Sequence, residues 1–111
     1  KGGKPKYLMT TPGGPGQTLS LVQVLTNLVD RKMELTSSIE YPRWSVSLDG
    51  SFLLEEGYGT AVAAELERRG HVVKQASGAS YFGSAKTIEI LDNGVLTGAA
   101  DTRREAFAAG R

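Results

Sequence analysis

The apolar positions of the chain change period several times, and each change marks an element. Tyr7-Leu8-Met9-Thr10-Thr11 reads as a short strand, closed by Pro12, which has no N–H to give to a ladder. From Gln17 to about Lys32 the apolar residues Leu21, Val22, Leu25, Leu28 and Val29 recur at helical spacing, widened by Val24, while Ser20, Gln23, Asn27, Asp30 and Arg31 form the polar side. This spacing predicts a long amphipathic helix. A short helical turn is expected over Thr36–Glu40, capped by Thr36 or Ser37 and ended by Tyr41-Pro42. The period then falls to two. Trp44, Val46 and Leu48 alternate with Ser45, Ser47 and Asp49, predicting a half-buried strand that turns at Asp49-Gly50 into Phe52-Leu53-Leu54.

Residues 55–59 read as a loop, and Thr60 as the cap of a second helix over Ala61–Arg69. Its core side is Val62, Ala63 and Leu66, a Glu65–Arg69 pair lies on its wet side, and Gly70 follows its end. His71–Gln75 reads as a short edge-like strand and Ala76–Tyr81 as a loop of small residues. Over Lys86–Leu91, Ile88 and Ile90 alternate with Thr87 and Glu89, and Asn93-Gly94 turns the chain into a returning strand over Val95–Ala99. The end, Glu105–Arg111, is expected to be a fraying helical turn. The pattern gives an α+β domain with antiparallel strands and two main helices.

Composition narrows the functions. A chain of 111 residues makes one domain, and 13 basic against 12 acidic residues leave a net charge of +1, with no basic patch of the kind nucleic acid needs. Without cysteine and with one histidine, neither a thiol nucleophile nor a zinc site is expected; cofactor and metal are both read as none. No apolar run approaches the roughly 18 residues that span a bilayer, so no membrane partner is expected. Lys1 stands where an initiator methionine would, from which the expectation is a piece of something longer.

One stretch looks built for chemistry: Thr10-Thr11-Pro12-Gly13-Gly14-Pro15-Gly16-Gln17, between the first strand and the long helix. Gly13 and Gly14 are consecutive backbone donors with no Cβ, held between two prolines. Donors at a helix start suit a phosphate, a carboxylate or a developing oxyanion. The alternative reading of the same stretch is a purely structural tight turn. It is neither a P-loop, which needs Lys-Ser/Thr after the glycines, nor a dinucleotide fingerprint. Other candidates have plain alternatives. His71 follows a helix end, where a cation complements the macrodipole. Glu55-Glu56 reads as an acid/base pair or a solvated turn, and Asp101 with Arg103 or Arg104 as a carboxylate site or a structural ion pair. Ser77, Ser80 and Ser84 have no base nearby in sequence.

Taken in order, Thr11-Pro12-Gly13-Gly14, Asp30-Arg31-Lys32-Met33, Tyr41-Pro42-Arg43-Trp44, Glu56-Gly57-Tyr58, Arg69-Gly70-His71-Val72 and Gly98-Ala99-Ala100-Asp101-Thr102-Arg103 resemble the C-terminal part of the small subunit of gamma-glutamyltranspeptidases. The resemblance covers residues 1–111. It implies part of an N-terminal-nucleophile hydrolase αββα sandwich, in which a threonine upstream of this chain attacks a gamma-glutamyl or related small amide. It implies that Gly13 and Gly14 supply backbone N–H groups to the oxyanion hole, and that the partners are the rest of the small subunit and the large subunit of the same precursor. Pro42–Trp44 and Asp101/Arg103 look structural in the family. Thr11, Pro15 and Thr102 depart from the usual serine, less constrained residue and proline. The Pro-Gly-Gly-Pro-Gly-Gln-Thr and Tyr81-Phe82-Gly83-Ser84 versions are similar to transpeptidase-like amidohydrolases such as oxamate amidohydrolase. The chain alone is expected to be inactive and to self-associate; the alternative is a noncatalytic module for dimerisation or small-carboxylate binding at Gly13-Gly14.

Overall fold

A computed structural model describes residues 2–77 and 79–110, with the side chains of Ala79 and Ser80 left aside. The elements run β1 (Tyr7–Thr10), α1 (Gly16–Val29), α2 (Leu35–Glu40), β2 (Trp44–Val46), β3 (Phe52–Leu54), a 3-10 turn (Glu56–Tyr58), α3 (Gly59–Arg68), β4 (Val73–Gln75), α4 (Ala79–Phe82), β5 (Lys86–Ile90) and β6 (Leu96–Ala100). They form two three-stranded sheets, β1-β5-β6 and β2-β3-β4. The α+β class holds, and α1 and α3 are the two longest helices. The strands are not all antiparallel, however. β4 pairs parallel to β3, because the 3-10 turn and α3 carry the chain across before it returns in the same direction, the crossover that parallel neighbours require.

The core lies between the first sheet and the helices α1 and α2. Val24, Leu28, Leu35, Ile39, Ala85 and Ala99 are buried together, with Tyr7 and Met9 packed against them. The register Met9↔Thr87↔Ala99 puts these residues on one face, and Leu8↔Ile88↔Gly98 with Ile90↔Leu96 on the other. The phase is the reverse of that expected from the alternation. Thr87 is buried, whereas Leu8, Ile88 and Leu96 are 52%, 43% and 64% exposed. The small residues Thr87 and Ala99 admit the helices closely, and the large aliphatic face is the exposed one. The second sheet inverts in the same way: Ser45 is buried, while Val46 and Leu48 point outward.

α1 is likewise rotated from its expected stripe. Ser20, Val24, Asn27 and Leu28 are its buried residues, and Val22, Leu25 and Val29 are exposed. Two residues assigned to the polar side can turn inward because acceptors await them: Ser20 Oγ donates to Phe82 O at 2.9 Å and Asn27 Nδ2 to Ser38 O at 3.1 Å. The Gln23 amide, also expected to be solvated, accepts from Trp44 N–H and donates to Trp44 O, both at 2.9 Å, and so completes the edge of β2. The helix ends before Lys32, which takes a left-handed φ of 57° while Met33 N–H reaches back to Asn27 O.

Other boundaries shift for local reasons. Glu34, rather than Thr36 or Ser37, caps α2 by accepting Ser37 N–H at 3.0 Å. α3 starts at Gly59, so Thr60 lies inside its first turn, and none of Val62, Ala63 and Leu66 is buried. The Glu65–Arg69 pair forms at 2.7 Å, joined by Arg68, and Gly70 takes the positive φ of a helix end. The expected loop over 76–81 holds the short helix α4, Gly78 lying outside the described residues, and residues 105–110 are not helical.

Candidate active site

The loop between β1 and α1 is fixed at both ends and open in the middle. Thr11 is buried, and its Oγ1 accepts Ser84 N–H at 3.1 Å. Gly13 and Gly14 are exposed, and neither donates a hydrogen bond to another described residue. Gly13 adopts φ +128°, a region that residues with a Cβ avoid, although a Cβ there would meet nothing closer than Gln17 Cγ at 4.0 Å. The glycine is needed for its conformation rather than for room. Pro15 occupies the N-cap of α1 and offers no side-chain cap, while Gln17 N–H closes the turn onto Gly14 O at 3.1 Å. The helix start and the two glycines thus present unpaired donors in one place.

Gly13 and Gly14 line a groove of about 760 Å³ that is also lined by residues 45–49 and Leu53 of the β2–β3 hairpin and by Lys74, Tyr81, Gly83 and Arg104. Lys74 is paired with Asp49 at 2.7 Å. Asp49, which also accepts from Ser47 Oγ and from Ser51 N–H, is held well below the usual carboxylate range by these bonds, that from Lys74 foremost.

Behind the loop lies a buried charge network. Arg43, 1% exposed, meets Asp101, 0% exposed, at 2.7 Å. Arg43 also donates to Phe82 O at 2.9 Å and Ile39 O at 2.8 Å. Asp101 accepts Ala85 N–H at 3.0 Å and Arg103 N–H at 2.9 Å. Arg103 Nε donates to Glu55 Oε1 at 2.6 Å, and Glu55 Oε2 accepts Arg43 N–H at 2.8 Å. Burial by itself raises the Asp101 pKa, but the two backbone N–H groups and the two guanidinium charges outweigh it and leave the carboxyl below its ordinary range. Burial lowers the Arg43 pKa, with Asp101 opposing.

The sequence candidates therefore separate. Gly13, Gly14 and Arg104 line one groove. Asp101 and Arg103 form a structural ion pair, and Glu55 belongs to it rather than to an acid/base pair with Glu56. His71 packs edge-on to the Phe52 ring, 4.8 Å between centroids, away from the groove. Ser84 is fully buried with Lys86 Nζ 2.9 Å from its hydroxyl, Ser77 is exposed, and the Ser80 side chain lies outside the described residues. Sequence reasoning missed the Glu55–Arg103 pair, whose partners are 48 positions apart with no local spacing signal. Among the described residues, no group of His, Cys, Asp and Glu is placed to hold a metal, and no helix is long and apolar enough to cross a membrane.

The site is thus a glycine loop at a helix start, with a buried Arg–Asp pair behind it and a groove in front. The sequence profile of the gamma-glutamyltranspeptidase family matches residues 1–111, and the chain belongs to that family. It is 33% identical over 99% of its length to the glutathione hydrolase-like YwrD proenzyme of Bacillus subtilis and covers 22% of that protein. Against the oxamate amidohydrolase proenzyme of Klebsiella pneumoniae it is 33% identical over 88% of its length, covering 20%. The chain thus spans about a fifth of these curated relatives. Among solved structures, the gamma-glutamyltranspeptidase of Pseudomonas nitroreducens complexed with L-DON has the same fold, with TM-score 0.85 at 22% identity, covering all of this chain and 58% of that one. The cephalosporin acylase of Bacillus halodurans superposes with TM-score 0.84 at 26% identity, covering 97% of this chain and 21% of the other.

Proposed function

We propose that these residues are the C-terminal portion of the small subunit of a gamma-glutamyltranspeptidase-like amidohydrolase or acyltransferase, and that Gly13 and Gly14 form its oxyanion hole. In the reaction a threonine hydroxyl from a segment outside these 111 residues attacks the carbonyl of a gamma-glutamyl or related small amide. The carbonyl oxygen gains the negative charge, which the Gly13 and Gly14 N–H groups stabilise; the amine leaves carrying the proton that the threonine hydroxyl gives up, and water or an amine acceptor then takes the acyl group and returns a proton to the threonine. The observation that carries this reading is the exposed Gly13-Gly14 pair, whose N–H groups have no acceptor among the described residues, in a loop whose φ of +128° at Gly13 only glycine holds easily. The relatives named hydrolase and amidohydrolase support the same class of chemistry. The rest of the small subunit and the large subunit are the partners of this portion. A further sheet, from outside these 111 residues, laid over Leu8, Ile88 and Leu96 completes an αββα sandwich of the N-terminal-nucleophile type.

The test is Gly13→Ala in the intact protein, assayed with a chromogenic gamma-glutamyl anilide and with oxamate. A side chain there forces φ out of the left-handed range and tilts the peptide, so kcat is expected to fall by roughly 10²–10³, with a smaller change in KM. Melting temperature is measured on the same preparation. A variant with near-normal kcat per folded molecule and a lowered melting temperature would return the loop to the role of a tight turn.

A further inference from the structure

The loop's donors are held in place by residues far away in sequence. Phe82 O is a joint: it accepts Ser20 Oγ from the first turns of α1 and Arg43 Nη1 from the charge network, each at 2.9 Å and all three residues buried. The next residue, Gly83, has φ +72°, and a Cβ there would lie 2.7 Å from Thr11 Oγ1 and 2.9 Å from Ser20 Oγ. The residue after that, Ser84, gives its N–H to Thr11 Oγ1. Ala85 N–H then goes to Asp101, whose other oxygen is held by Arg103. Residues 82–85 are therefore tied to the entry of the loop at Thr11, to the early part of α1 at Ser20 and to the buried ion pair.

We propose that Phe82–Ser84 is a clamp that sets the position of the Gly13 and Gly14 N–H groups, with Thr11 and Ser20 as its positioning residues. The inference rests on the oxyanion reading of the loop. Neither Thr11 nor Ser20 lines the groove; Thr11 fixes the entry of a loop in which Pro12 and Pro15 restrict φ, and Ser20 fixes the helix the loop leads into. Holding both ends leaves the glycine peptides one orientation. A hydroxyl at Thr11 is needed as an acceptor for Ser84 N–H, and a hydroxyl at Ser20 as a donor to Phe82 O. Gly83 is needed because any side chain would drive the two hydroxyls apart.

Thr11→Val keeps the shape and removes the acceptor, Thr11→Ser keeps the acceptor, and Ser20→Ala removes the donor. In the intact protein, with the same chromogenic gamma-glutamyl anilide and oxamate, Thr11→Val and Ser20→Ala are each expected to lower kcat roughly ten- to hundredfold, the scale of a small misplacement of a catalytic group. KM should stay within about twofold, since the loop acts on the transition state, and Thr11→Ser should recover most of the rate. Amide exchange measured on peptides spanning residues 10–17 should quicken in Thr11→Val and Ser20→Ala but not in Thr11→Ser. If Thr11→Val does not fold, the comparison of Ser20→Ala with Thr11→Ser carries the test. Normal kcat per folded molecule in Ser20→Ala and Thr11→Val, alongside an impaired Gly13→Ala, would overturn the clamp and leave the oxyanion hole standing. Normal kcat in Gly13→Ala as well would overturn both.

Discussion

Arg43 and Asp101 show what a buried ion pair does when each charge has several partners. Removing both charges in favour of well-packed apolar groups is often tolerated, but removing one leaves the other stranded in a low-dielectric interior. Arg43→Met is therefore expected to cost about 3–5 kcal/mol in urea unfolding. Asp101 also makes a pH prediction. Its carboxyl lies below the ordinary range in the folded chain, so the unfolded chain binds the proton first on acidification. Its contribution is fully present at neutral pH and is lost as pH falls below about 4, through the lower folded value. Asp101→Asn should be less stable than the natural chain at neutral pH, and the difference should narrow with acidification. A constant difference in unfolding midpoint across that range would show that the charge of Asp101 is not what the network requires.

At the scale of elements, legibility depended on whether the deciding partner was near in sequence. Asp49-Gly50 and Asn93-Gly94 announced their hairpins because the turn chemistry is local; Gly50 and Gly94 do take positive φ, at 82° and 84°. The faces of the strands were not legible. Apolar alternation in β5 names the correct two faces but not which one the helices cover, and here Thr87 rather than Ile88 meets the core. The cap of α2 was misassigned for a similar reason: hydroxyl residues are the usual N-caps, yet the Glu34 carboxylate takes Ser37 N–H. Glu34→Ala is accordingly expected to lower the melting temperature more than Thr36→Ala, and circular dichroism on the two variants decides it. The Gly13-Gly14 loop stood out at once because consecutive glycines between prolines are a backbone signal. Its clamp did not, since Phe82 contributes only a carbonyl and a carbonyl leaves no trace in sequence.

The whole molecule carries more apolar surface than its own elements cover. Leu8, Ile88 and Leu96 lie on the open face of the first sheet, beside a space of about 890 Å³ that the segment around Phe107 and Ala108 only partly lines. Val22, Leu25 and Val29 form a second exposed row on α1. Apolar patches of this kind favour association. Residues 1–111 prepared alone should therefore form dimers or larger species by light scattering and bind an apolar dye, and Ile88→Thr with Leu96→Thr should reduce both. A clean monomer without dye binding would mean that the two rows need no cover.

The clamp also imposes an order in time. Ser84 reaches Thr11 across 73 positions of sequence, and β1 finds β5 over a comparable span. Joining segments so distant loses more chain entropy than joining neighbours, and contacts of this separation slow folding. The opposite wall of the groove has a different history, since β2, β3 and β4 are assembled from residues 44–75 alone. One wall is built from nearby chain, while the other needs Thr11 and Ser84 to meet across the sequence. The Thr11–Ser84 contact that anchors the Gly13-Gly14 loop is therefore one of the long-range closures, whereas the second sheet is drawn from a single stretch of the chain.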